Sequence, residues 1–296
     1  MLTDRDYHVL ESLARYQAAN RAQISELHFP RDSGGRQARR RLQHMVEAGY
    51  VIRHAFRFGL PGRDSVAPVY YLSQKGLDLM AVHLDDPTIR ERPVKVKKME
   101  HLHHFLAVTQ THILLDQAIA EQHQVTQDIW HNEPELVNPD TVSQENRFYL
   151  FTQMEIDGKK IACSPDAAFQ LSYRGYRSVF YVEQDRATYW PADVARRKHK
   201  GYHYLCERQL HKKHFPETNR DTFQVLCVTA TAAQCTQLRQ AFADKPGNEL
   251  WRFASLEADQ SAPETVLTKD TFLFEPIWYT TSGELVPLIK RIEEQL

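Results

Sequence analysis

"SPDAAFQLSYRGYRSVFYVEQD" (residues 164–185) reads as two strands joined by a Tyr-Arg-Gly-Tyr turn. Three carboxylates stand at its ends: Asp166 opens the first strand, and Glu183 and Asp185 close the second. Alternation puts Glu183 and Asp185 on one face of their strand, with Val182 on the other. Pro165 has no N–H to give a ladder, which places Asp166 at a strand start or edge. Ordinary strand-end caps and ligands of a metal ion both account for so much negative charge. If the two strands pair as a hairpin, this reading sets Asp166 and the Glu183 region at opposite ends of one ladder. The acids then meet only if the strands bend or splay.

Outward from the hairpin, strands and helices alternate. "VTQDIW" (125–130), "FYLFTQMEID" (148–157) and "KKIACSPDAAFQL" (159–171) read as strands. "PADVARRKHKGYHYLCERQLHKKHF" (191–215) reads as one long helix with Pro191 in its first turn. The apolar strand "TFQVLCVTA" (222–230) and the helix "TAAQCTQLRQAFAD" (231–244) follow, then late strands in "ELWRFASLE" (249–257) and "FLFEPIWYT" (272–280). "ELVPLIKRIEEQL" (284–296) reads as a closing helix interrupted early by proline. This order predicts an α/β (α+β) domain on a mixed sheet. In the long helix Val194, Lys198, Tyr202 and Leu205 fall on one stripe. A lysine there needs an acidic partner or must snorkel to water. Arg196, Arg197 and Lys200 beside it suit a phosphate backbone. Glu133 and Glu135 in "WHNEPEL" are further carboxylates, which no spacing ties to the others.

The chain's beginning has a different pattern. "LTDRDYHVLESLARYQ" (2–17) is a helix capped by Thr3, and "NRAQISELHFP" (20–30) a shorter one capped by Asn20. "SGGRQARRRLQHMVEAGYV" (33–51) gives a third, with Ala38, Leu42, Met45 and Val46 on one stripe. "VIRHAFRFGLPGRDSVAPVYYLSQKG" (51–76) alternates around a Gly-Leu-Pro-Gly turn, and a helix follows from Gln74 to Leu84. Three short helices and a hairpin are the order of a winged helix-turn-helix. Arg36, Gln37, Arg39, Arg40, Arg41 and Gln43 lie outside the third helix's apolar stripe. Arginine and glutamine bond base edges bidentately, and arginine also pairs with phosphates. Arg57 and Arg63 fall where a wing tip would touch the DNA backbone. Residues 1–75 hold 12 Lys/Arg against 7 Asp/Glu, a balance of +5, which leaves −6 for the rest of a chain at −1. A basic end on a neutral chain suggests a local surface for a polyanion.

We therefore expect a winged-helix domain at 1–84, a linker at 85–98, and an α/β domain at 99–296 that includes a connecting helix, 99–123. That helix has a broad apolar face in Leu102, Leu106, Ile113, Leu114 and Ile119. His101, His103 and His104 are packed too closely on it to point one way, so structural or polar surface roles are expected of them rather than metal ligation. At 42% hydrophobic and 25% charged, the composition is that of a soluble globular protein. No apolar run approaches the roughly 20 residues of a membrane span, and no secretory signal is seen. Cys163, Cys206, Cys227 and Cys235 are far apart, which fits reduced thiols in a cytoplasm. A phosphate-cradling Gly-rich loop, a nucleophile elbow and a rolling-circle relaxase motif are missing, so neither ATP hydrolysis nor covalent strand transfer is expected.

Pro165-Asp166 followed by Glu183 looks like the P-D…(D/E)-x-K pattern of the restriction-endonuclease-like nuclease superfamily. More closely, the chain resembles the replication-relaxation family. The matching pieces are "LTDRDYHVLESLARY", "RRRLQHMVEAGYV", "VYYLSQKG", "HHFLAV", "SPDAAF", "FYVEQDRAT", "KHKGY", "FQVLCVTAT" and "EPIW", over most of residues 2–278. The resemblance implies a nuclease-like second domain and a DNA-processing role in plasmid or mobile-element replication and mobilisation. It implies Mg²⁺ or Mn²⁺ on Asp166 and Glu183, with Asp185 and Lys198 completing a catalytic set. The superfamily's lysine position is Asp185 here, followed by Arg186, and Lys198 is the candidate replacement. The expected partners are double-stranded DNA, a second copy of the chain, and replication or mobilisation proteins, with no membrane. Two other readings stay open: a non-enzymatic regulator whose degenerate nuclease-like domain dimerises, and a nuclease effector against invading DNA.

Overall fold

The computed structural model describes residues 1–55, 67–92, 99–133, 135–138 and 140–291, with backbone only at 99–101. It divides into two compact units, Met1–Ile113 and Leu114–Leu296.

In the first unit, helix α1 (Asp4–Tyr16) begins where Thr3 turns extended. Asp6 closes a capping box by accepting the Thr3 N–H at 2.7 Å and its hydroxyl at 2.8 Å. Strand β1 (Ala19–Asn20) leads into α2 (Arg21–His28), where Asn20 and Gln23 exchange reciprocal bonds of 3.0 Å. Helix α3 (Arg36–Glu47), strands β2 (Val51–His54) and β3 (Val69–Leu72), and α4 (Gln74–His83) complete the order anticipated for a winged helix. The strands pair antiparallel in the order β1-β3-β2. Val9, Leu10, Leu13, Ile24, Leu42, Met45 and Leu72 are buried in one core. Each such side chain contributes about 1.5–3 kcal/mol. Gly76 lets α4 close on this core, because a Cβ there would lie 2.2 Å from the Tyr50 carbonyl oxygen.

One polar contact within that core seats α3. The Asp6 side chain is 0% exposed. Arg41 donates Nε to its Oδ1 at 2.8 Å, and Nη2 to its Oδ2. Arg41, read from the sequence as facing DNA, is thus turned onto α1. Val46 is only half-buried, at the margin of its stripe. The wing turn with Arg57 and Arg63 lies outside the described residues, as does 93–98 of the expected linker. The part of that linker at Pro87–Glu91 is a 3₁₀ turn whose Ile89 packs into the first core.

Helix α5 (Met99–Ala120) contains the division between the units. Leu102, Phe105 and Leu106 cluster with Ala18 and Val69, and Gln23 donates Nε2 to the Leu106 carbonyl at 3.0 Å. These contacts give its beginning to the first unit, whereas the sequence reading assigned the whole helix to the second.

The second unit contains β4 (Val125–Asn132), the short α6 (Gln144–Arg147), and a separate hairpin of β5 (Thr152–Ile156) and β6 (Lys159–Cys163). Then come β7 (Ala167–Tyr173), β8 (Tyr176–Asp185), α7 (Pro191–Glu207), α8 (His211–His214) and β9 (Gln224–Thr229). Helix α9 (Ala232–Phe242), β10 (Trp251–Ser255), β11 (Trp278–Tyr279) and β12 (Leu285–Val286) follow. Seven strands form one sheet in the order β12-β11-β10-β9-β8-β7-β4. It is antiparallel from β4 through β7 to β8, parallel from β8 through β9 to β10, and antiparallel beyond. This is an α/β fold on a mixed sheet. Ala168, Val179, Tyr181, Val225 and Phe253 of the sheet share a core with Tyr202 and Leu205 of α7 and Leu238 and Phe242 of α9.

Two helices differ from expectation. The helix read over 191–215 breaks after Glu207, where Gln209 takes a left-handed φ of 53°, and resumes as α8. The closing helix read at 284–296 is replaced, within its described part, by β12 and irregular chain. Pro287 explains the loss: it lacks a donor and biases the residue before it toward extended backbone.

Breaking the Asp6–Arg41 pair tests how α3 is held. Burial pushes the Asp6 carboxyl up, but bonds from Arg41 and Thr3 outweigh it and hold the group below its ordinary value. Its stabilisation is therefore present above about pH 4 and is lost as pH falls through the lowered value. Arg41→Ala should destabilise the first unit by about 3 kcal/mol and move its acid unfolding to higher pH. Denaturant melts from neutral pH down to about pH 3 read both effects, and unchanged acid unfolding would refute the pairing.

Candidate functional site

The hairpin turn sets the geometry of the acids. Arg174 and Gly175 both take positive φ, 47° and 82°, as a two-residue type I′ turn requires. That turn pairs Tyr173 with Tyr176 and, at the far end, Ala167 with Val182. One further step sets Asp166 beside Glu183, and the Asp166 N–H donates to the Val182 carbonyl at 3.1 Å. The expectation that the two acids stand at opposite ends of the ladder is corrected. An antiparallel hairpin returns the end of its second strand to the start of its first, and residues directly opposite share a face. No splaying is needed.

Glu183 is 8% exposed. Lys198 donates Nζ to Glu183 Oε1 at 2.9 Å and to the Ser164 carbonyl at 3.1 Å. The Tyr202 hydroxyl donates to the same Oε1 at 2.5 Å. Lys198 and Tyr202 are one helical turn apart on α7, so the stripe read from the sequence is the one that meets the acid. The lysine side chain is 33% exposed, but its ammonium is turned inward rather than snorkelling. Gly201 permits the approach: a Cβ there would lie 2.9 Å from the Ala162 carbonyl oxygen and 3.3 Å from Cys163 Cβ of β6. Burial raises Glu183 to about 7, against the pull of Lys198 and with Asp166 adding to the rise. Burial acts to lower Lys198, but Glu183 and Asp166 outweigh it and keep the ammonium charged. Asp166 accepts the Gln184 N–H on Oδ2 at 2.7 Å.

The other acids have partners of their own. Asp185 accepts the Ala187 N–H at 2.7 Å and the side-chain amide of Gln234 from α9. Asp185 is thus tied to α9 and to its own loop, on the face of β8 that it shares with Glu183. Glu133 is exposed, and its N–H donates to the Asp166 carbonyl at 2.9 Å. Glu135 bonds His131 Nδ1 at 2.8 Å. Among the described residues no group of three or more His, Cys, Asp and Glu is arranged to hold a metal ion. Asp166 and Glu183 still fit Mg²⁺ or Mn²⁺ by donor chemistry, since Mg²⁺ takes one or two carboxylates and keeps several waters.

The cations divide between inward and outward roles. On α3, Arg36, Gln37, Arg39, Arg40 and Gln43 are exposed, and Gln43 bonds Glu47 at 2.8 Å. On α7, Arg196, Arg197 and Lys200 are exposed. Arg196 pairs with Asp193 at 2.9 Å, and Arg197 lies over the Tyr189 ring at 4.7 Å. The sequence reading missed the Tyr202 and Gln234 contacts. Tyr202 had a signal, a hydroxyl one turn beyond Lys198 on the same stripe. Gln234 had none, since α9 lies two helices and a strand beyond β8.

Compared with known families, residues 10–218 match the replication-relaxation family, a span that contains α3, Asp166, Glu183 and Lys198. Neither the curated proteins nor the solved structures contain a match to the chain. No helix among the described residues is long and apolar enough to cross a membrane.

The raised Glu183 carboxyl has a measurable consequence. Its folded value of about 7 lies above its ordinary 4.5. The stabilisation it contributes is complete below 4.5 and is lost as pH rises towards 7. Wild type should therefore lose stability over that window, and Glu183→Gln, which stays neutral, should lose less. Denaturant midpoints followed across the window check this. Parallel curves for the two proteins would contradict the buried, proton-retaining carboxyl.

Proposed function

We propose that this chain, which belongs to the replication-relaxation family, docks double-stranded DNA through α3 and acts on a phosphodiester at the Asp166–Glu183–Lys198 site. Membership supports a role in the replication or mobilisation of mobile elements. The observation that carries the site is the buried Glu183 held by Lys198 at 2.9 Å beside Asp166. An antiparallel β4-β7-β8 meander, a helical crossover and a parallel β9 support a nuclease-like reading of the second unit. The helix order and outward arginines of the first unit support a winged-helix reading.

Asp166 and Glu183 would hold the Mg²⁺ or Mn²⁺, which would polarise the phosphodiester and lower the pKa of a bound water. The chain's own residues do the positioning. Lys198 and Tyr202 fix Oε1 of Glu183, and the Gln184 N–H fixes Oδ2 of Asp166. Arg196 and Lys200, exposed on the same helix, offer charge to a phosphate backbone. Lys198 comes from a helix rather than from the strand position that the nuclease pattern assigns to its lysine. In this reading it keeps a positive charge at the carboxylates without occupying β8.

Incubation of supercoiled plasmid with Mg²⁺ or Mn²⁺ should give nicking by wild type. Asp166→Ala and Glu183→Ala should each lower the rate about a hundredfold or more. Equal inactivity of all three would remove the enzymatic reading and favour a regulator. In the first unit, Arg39→Ala combined with Arg40→Ala should weaken duplex binding. Its log–log salt dependence should flatten by about 0.9 for each phosphate that the variant no longer neutralises. Unchanged affinity and slope in a salt titration would remove α3 as the docking helix.

A further inference from the structure

Between the end of β8 and the start of α7, the chain presents Tyr189 and Trp190 to solvent, 59% and 80% exposed. Of the other tryptophans, Trp251 and Trp278 are buried, and Trp130 is half-buried and stacked on Phe169. Leaving an indole and a phenol adjacent and uncovered forgoes the burial that large aromatic side chains usually gain. The backbone at Trp190 is bonded into the start of α7. The Trp190 carbonyl accepts the N–H groups of Asp193 at 2.9 Å and Val194 at 3.1 Å, and Pro191 starts the helix behind it. Arg197 reaches back from α7 to lie over the Tyr189 ring at 4.7 Å. Arg196 and Lys200 are exposed on the same helix. The loop leaves β8 two residues after Glu183.

From this we infer that Tyr189 and Trp190 form a stacking platform for unpaired DNA bases, so that the second unit takes a single-stranded segment or the junction where a duplex opens. The inference rests on the proposed DNA-processing reading and specifies the form of DNA at that site. Exposed aromatic rings interleaved with cations are the chemistry of single-strand binding. Bases stack on the rings whatever their sequence, and the cations follow the phosphates. A phosphate chain supplies Arg197 and Lys200 with a negative charge at every nucleotide. Duplex DNA offers only its outer edges to the rings, because its base faces are stacked.

The test uses the full chain in EDTA and three DNAs: a blunt duplex, the same duplex with a single-stranded thymidine tail, and that duplex with an abasic tail of equal phosphate number. Wild type should bind the thymidine tail about tenfold more tightly than the abasic one, and its tryptophan emission should be quenched. Trp190→Ala and Tyr189→Ala should each remove most of that difference, and Trp190→Phe should restore much of it. Blunt-duplex affinity should stay unchanged in all three variants. Equal affinity of wild type for the two tails, or an unchanged preference in Trp190→Ala, overturns the platform, and protein capture would then be the use of the patch. Loss of all DNA binding by wild type would instead overturn the reading beneath it, so the two failures are distinct.

Discussion

Burying a carboxylate at the end of a strand constrains everything around it. Glu183 is set inside the sheet by the register of β8, and an ionisable group there persists only with a partner or a retained proton. Lys198 and Tyr202 are that partnership, and both come from one face of α7. To deliver them the helix must come close to β6, which Gly201 permits, and must start soon after β8 ends. The loop 186–190 is therefore short, and it joins the acid end of β8 to α7.

The first unit solves a similar problem in the same way. Asp6 is buried in α1, and Arg41 reaches in from α3 to neutralise it. In each unit one cation of a basic helix turns inward onto a buried acid, while its neighbours remain exposed. On α3 the outward set is Arg36, Arg39 and Arg40; on α7 it is Arg196, Arg197 and Lys200. Breaking either inward pair would disturb a helix whose outer face carries the cations. Both pairs fix the placement of their helices, and the Asp6–Arg41 pair also contributes stability. The desolvation that makes such pairs costly also makes their geometry well defined.

Much of this was legible in the sequence, for identifiable reasons. Thr3 and Asn20 announce helix starts because their side chains satisfy orphan N–H groups. Lys198 and Tyr202 could be put on one stripe because the helical period is fixed. Most of the strand succession from β4 to β10 followed from apolar runs bounded by turn residues, but the run 159–171 divides at Ser164–Asp166 into β6 and β7 of different sheets. What failed depended on contacts between distant segments or on a local break. The meeting of Asp166 with Glu183 needed the ladder drawn from its turn outward, and the sequence reading placed its ends wrongly. Arg41 looked like one more outward arginine because nothing local shows that Asp6 is buried opposite it. The contact of Gln234 with Asp185 was not legible, because α9 is remote from β8 in the sequence. Pro287 and the left-handed Gln209 ended helices that apolar spacing alone would have continued.

In the proposed function, Asp166 and Glu183 act as one oxygen-donor pair under the control of Lys198. A crystal of the full chain soaked in Mn²⁺ and measured at a wavelength where manganese scatters anomalously tests it most directly. An anomalous peak coordinated by both carboxylates, lost in crystals of Asp166→Ala, is expected. A peak elsewhere, or bare carboxylates still bonded only as they are here, would contradict it.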